Sequence, residues 1–81
     1  MLSLDQTFRA LGDPTRLRIL NLLSRGEQPV GDLILALDLP QSSVSQHLAA
    51  LRAAGLVADR QQGKQRFYAL NKPRSRVQAK I

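Results

Sequence analysis

The stretch Leu39-Pro-Gln-Ser-Ser-Val-Ser-Gln-His-Leu-Ala-Ala-Leu-Arg-Ala-Ala-Gly55 limits the possible folds of this chain more than any other. Val44, Leu48 and Leu51 recur at i, i+4, i+7, the spacing of one buried helix face. Pro40 suits the helix start, where a fixed φ helps and a missing N–H costs nothing. Gly55 suits its end, where a left-handed residue is usually required. The first turns leave Gln41, Ser42, Ser45, Gln46 and His47 for the outside. An ordinary surface helix carries paired Glu and Lys there. Short amides and hydroxyls instead match the donor and acceptor patterns on base-pair edges in a major groove. Taken alone, the same residues also fit a merely polar helix start.

The segments before this helix supply its setting. Leu4, Phe8 and Leu11 repeat the i, i+4, i+7 spacing, so residues 3–11 read as a short helix ended by Gly12. Asp13-Pro14 is a strong start signal, an N-cap followed by proline in the first turn. The helix it opens is expected over residues 14–25, with Leu17, Ile19, Leu20, Leu22 and Leu23 forming a wide apolar face and Arg16, Arg18 and Arg25 on the rim. Residues 26–29 connect, and Val30 contributes a brief extended piece. Leu33, Ile34 and Leu37 then mark a helix over residues 31–37. The short link Asp38-Leu39-Pro40 joins it to the polar-faced helix, which makes the pair a helix-turn-helix.

After Gly55, residues 56–61 and 65–70 flank Gln62-Gly63-Lys64 and read as a β-hairpin, with glycine supplying the permissive turn backbone. Its arms and tip carry Arg60, Lys64 and Arg66. Such cations grip phosphates or enter a minor groove; a solvated charged edge is the plainer alternative. Residues 71–81 are basic and poor in apolar side chains, so they read as a tail or as one short helix opened by Pro73.

Charge sharpens the reading. Residues 1–51 hold four basic and five acidic side chains, whereas residues 52–81 hold eight basic and one acidic, Asp59, within an overall charge of +6. Concentrated positive charge favours polyanions through counterion release. With 81 residues and no cysteine, the chain has neither disulfides nor thiolate metal ligands, so packing or oligomerisation must stabilise it. No apolar run approaches the ~20 residues needed to span a bilayer, and the start lacks the pattern of a signal peptide. A cytoplasmic location is therefore expected. No phosphate-cradling glycine loop and no nucleophile beside a base is visible, so no enzyme activity is expected.

In order and spacing the chain resembles the ArsR/SmtB winged helix-turn-helix repressors. The resemblance rests on Phe8-Arg-Ala-Leu-Gly-Asp-Pro-Thr-Arg-Leu-Arg-Ile-Leu20, Val30-Gly-Asp-Leu33, Gln41-Ser-Ser-Val-Ser-Gln-His-Leu48, Leu51-Arg-Ala-Ala-Gly-Leu-Val57 and the segment from Gly63 to Tyr68-Ala-Leu70. It covers residues 4–70. It implies a mainly α fold with a small β-hairpin, and a homodimer that represses transcription from an inverted-repeat operator. It places base contacts on Gln41, Ser42, Ser45 and Gln46, with His47 beside them. Arg52, Arg60, Lys64 and Arg66 would hold the backbone of double-stranded DNA. Residues 1–70 form the domain in this reading.

Departures from the family pattern matter as well. Many members sense metals through cysteines where this chain has Gln28-Pro-Val-Gly-Asp-Leu33, which lacks a thiol. Others hold zinc between C-terminal helices, and here the chain is expected to end before such a helix is complete. One histidine cannot supply three or four ligands. Neither a metal nor a cofactor is expected, and no residue pattern points to an inducer. The competing reading is a winged-helix interaction module whose basic half meets an acidic protein.

Overall fold

The computed structural model describes residues 12–71. The helix expected over residues 3–11 and the tail beyond Asn71 lie outside them. The described elements are α1 (Pro14–Leu23), β1 (Gln28–Pro29), α2 (Val30–Leu37), α3 (Gln41–Ala53), β2 (Val57–Gln62) and β3 (Gln65–Leu70).

Local chemistry sets most of the boundaries. Gly12 is itself helical, and the break expected there falls at Asp13, whose backbone is extended. The Asp13 carboxylate accepts from the Thr15 and Arg16 amides at 2.8 and 3.2 Å, satisfying donors that the first turn leaves free. At its other end α1 stops at Leu23, two residues earlier than expected. The Ser24 hydroxyl donates to the Asn21 carbonyl at 2.6 Å, and the Gly26 amide closes a turn on Leu23. Asp38 ends α2 in the left-handed region at φ 55°, a conformation that a short polar side chain tolerates. Pro40 stands one position outside α3 as its N-cap. With no side-chain cap available, its carbonyl accepts from the Ser43 and Val44 amides.

Gly55 ends α3 at φ 76°. Its amide donates to the Arg52 carbonyl and that of Leu56 to the Leu51 carbonyl, at 2.9 and 3.0 Å. This crossed pair is the Schellman arrangement, and it satisfies carbonyls that α3 would otherwise leave unpaired.

One cluster buries the apolar faces of all three helices. It comprises Ile19 and Leu23, Leu33 and Leu37, Val44, Leu48 and Leu51, with Ala54 and Val57. Removing each large aliphatic side chain here from water is worth roughly 1.5–3 kcal/mol. The apolar face of α1 is narrower than its sequence suggests. Leu20 and Leu22 are only partly buried, and Leu17 is 46% exposed. Leu17 lies two residues from Ile19, about 200° round the helix, and so points away from the cluster.

The hairpin pairs in register from Val57 with Leu70 to Gln62 with Gln65, leaving Gly63 and Lys64 as a two-residue turn. Gly63 has φ 61° at the first central position, which suits a turn of type II′. The structure adds a strand where a connector was expected. Gln28 and Pro29 pair antiparallel with Tyr68 and Phe67, giving the sheet order β1-β3-β2. The extended piece therefore precedes Val30, which opens α2 instead. Proline is accommodated because β1 is an edge strand, where a missing donor costs little. Asn71 fastens the far end, its amide donating to the Leu56 carbonyl and its side chain to the Gly55 carbonyl, both at 3.0 Å.

Candidate nucleic-acid interface

Helix α3 divides cleanly by side. Val44, Leu48 and Leu51 face the core, while Gln41, Ser42, Ser45, Gln46, Ala49, Arg52 and Ala53 are exposed. At about 100° per residue those seven positions fall within one arc of roughly 140°. Amides and hydroxyls occupy its N-terminal half, and small Ala49 and Ala53 leave the surface low. Gln41, Ser42, Ser45 and Gln46 are therefore brought together as the sequence implies.

His47 is placed differently. It lies about 100° beyond Gln46, half-buried on the flank turned toward α1, where its Nδ1 accepts from Arg16 Nε at 3.2 Å. The sequence reading put it on the same face as the glutamines and serines; the structure sets it beside that face.

Three of the four expected phosphate-holding cations have partners within the chain. Asp59, only 12% exposed, accepts from Arg52 at 3.1 Å and from Arg66, joining the last turn of α3 to both arms of the hairpin. Asp59 pairs with Tyr68 across the sheet, two residues from Arg66, so the alternation of the strands puts both side chains on one face. Burial alone would raise the Asp59 carboxyl, but the hydrogen bonds from Arg66 and Arg52 outweigh it and hold the acid below its ordinary value.

Arg60 occupies the other face of the hairpin. Its Nε and one terminal nitrogen meet the two oxygens of Glu27 at 2.8 and 2.7 Å, a parallel fork. Its guanidinium carbon sits 4.7 Å above the ring of Phe67, its partner across the sheet. The Arg60 hydrogen bond lowers the Glu27 pKa, and Glu27 in turn raises that of Arg60. Lys64, exposed at the turn, has no carboxylate partner among the described residues.

Sequence reasoning thus gathered the polar arc and missed the counterions. Asp59 had a signal, being the one acid in an otherwise basic half. Glu27 had none, because its partner lies 33 residues away. Arg16, assigned to the rim, proves to be tied to α3. Among the described residues no three His, Cys, Asp or Glu side chains come together as a metal site. No helix there is long and apolar enough to cross a membrane.

A helix-turn-helix carrying a two-stranded wing, with a polar arc on its second helix, defines a winged helix-turn-helix domain. Residues 13–59 match the family described as "Bacterial regulatory protein, arsR family", and this chain belongs to that family. It is 52% identical over 67 residues to the arsenical resistance operon repressor of Escherichia coli, a match covering 82% of this chain and 57% of that protein. It is 35% identical over 68 residues to the transcriptional repressor SdpR of Bacillus subtilis, covering 84% and 76%. Among solved structures, HlyU from Vibrio cholerae superposes with a TM-score of 0.80 at 38% identity, covering 90% of this chain and 79% of HlyU. The chain thus spans just over half the length of the Escherichia coli relative.

Proposed function

We propose that this protein is a cytoplasmic transcriptional repressor that binds double-stranded DNA as a homodimer. Helix α3 lies in the major groove, and the hairpin rests on the adjoining backbone. The observation that carries this reading is the exposed arc of Gln41, Ser42, Ser45 and Gln46, which is free of charge and bordered by cations. Uncharged side chains at the centre read base edges, and cations at the margin hold phosphates. The relatives named as repressors support regulation rather than catalysis.

A dimer follows from reach. One recognition helix covers few base pairs, and two placed about 34–36 Å apart read half-sites one turn apart on the same side of the duplex. Selection of bound sequences from a random duplex pool tests both claims together. A two-fold symmetric motif is expected. Replacing Gln46 with Ala should then relax one position in each half-site, at about 1–3 kcal/mol of discrimination. A recovered pool no different from the input pool would refute the reading.

A further inference from the structure

The geometry points to Arg16 as a DNA-phosphate contact that the earlier residue set lacks, held in place by His47 acting as a positioning residue. The inference rests on the reading of α3 as the helix in the major groove. Arg16 sits in the first turn of α1, a turn pinned by the Asp13 carboxylate, which accepts the Arg16 amide. Its Nε–H donates to His47 Nδ1, 31 residues away in sequence, which orients the guanidinium toward α3. The ring nitrogen serves here as the acceptor of the guanidinium N–H.

Both terminal nitrogens of Arg16 remain without an acceptor among the described residues. The arginines of the wing junction differ in this respect. Arg52 and Arg66 share Asp59, and Arg60 has Glu27, whereas Arg16 donates to an imidazole nitrogen rather than to a carboxylate. The guanidinium is thus oriented with no carboxylate hydrogen-bonded to it among the described residues, the Asp13 carboxylate acting on it only through space. Its place on the α3 flank gives that orientation a target. A helix about 10–12 Å across fills a major groove about 12 Å wide, so a group packed on its flank meets the sugar-phosphate strand that borders the groove. A planar fork with two free terminal nitrogens is the side chain best suited to a phosphate there.

The test titrates the full chain with a labelled mixed-sequence DNA duplex, which reports backbone contacts, across a range of salt concentrations. Thermal melts accompany each variant. In Arg16→Gln the slope of log affinity against log salt should shrink by about 0.9, the loss of one phosphate contact. His47→Leu should lose the same increment although Arg16 is present, and the double variant should lose no more than either alone. His47→Asn, which puts an amide oxygen where Nδ1 stood, should retain the wild-type slope; a purely structural role for His47 predicts no such rescue. If His47→Leu does not fold, His47→Ala takes its place, and Arg16→Gln still decides the contact. A wild-type protein that binds while Arg16→Gln keeps its slope overturns this inference and leaves the DNA-binding reading intact. His47→Leu keeping the slope overturns the positioning role. A wild-type protein that binds no duplex at low salt removes both.

Discussion

Lys64 and Arg60 are near neighbours on one hairpin, yet they should respond in opposite ways to removal. Lys64 extends from the turn with no carboxylate partner, so any phosphate it meets releases a counterion. Arg60 gives two hydrogen bonds to Glu27 and stacks on Phe67, and leaving that clasp offsets what a phosphate would return. Lys64→Ala should therefore lower the salt slope by about 0.9, and Arg60→Ala should leave it nearly unchanged. Between about 50 and 200 mM salt, a difference of 0.9 in slope changes the wild-type to variant affinity ratio about 3- to 4-fold. Fluorescence anisotropy with a mixed-sequence duplex resolves such a change. Glu27→Gln supplies the counter-experiment, since it frees Arg60 and should steepen the slope by up to the same amount. Equal losses in Lys64→Ala and Arg60→Ala would show that DNA draws Arg60 off Glu27, and the argument from intramolecular pairing would fail.

Four further outcomes can be measured independently. Asp59→Asn should tighten binding to any duplex and steepen its salt dependence, because it releases Arg52 and Arg66 together; weaker binding in gel shifts would mean that Asp59 aims them. Leu48→Ala, at a site 1% exposed, should cost about 2–5 kcal/mol in urea unfolding. Gly55→Ala forces φ 76° on a residue with a side chain and should cost about 1 kcal/mol or more by the same assay. The carboxyls of Asp13, Glu27 and Asp59 are all held below their ordinary values, so the stability they confer is complete above those values and is lost as pH falls through the lower, folded-state ones. The melting midpoint should accordingly hold steady above about pH 5 and decline below the ordinary glutamate value of 4.5. A midpoint that rises on acidification would contradict that sign.

Local rules carried the reading where a single residue decides its own backbone. Asp13 with Pro14 marks a boundary through its capping carboxylate, and left-handed Asp38, Gly55 and Gly63 do so through angles that few other residues suit. The burial of Val44, Leu48 and Leu51 was equally legible from their spacing. The flank position of His47 was missed, although about 100° per residue separates it from Gln46 and the same spacing rule would have set it aside. Pairings distant in sequence were another matter. The bond of Gln28-Pro29 to β3 and the clasp of Glu27 on Arg60 depend on sheet register, which the intervening chain leaves unmarked. The cations were therefore legible as residues, while the carboxylates that occupy three of them were not.

The dipeptide Gln28-Pro29 is hydrogen-bonded to the far arm of the hairpin and runs directly into the first residue of α2. One two-residue segment is therefore shared by the sheet and the helix pair, so the wing and the helix-turn-helix are fastened to each other through it as well as through the core. A substitution that breaks this short pairing should therefore loosen the hairpin from α2 while leaving the polar arc of α3 untouched.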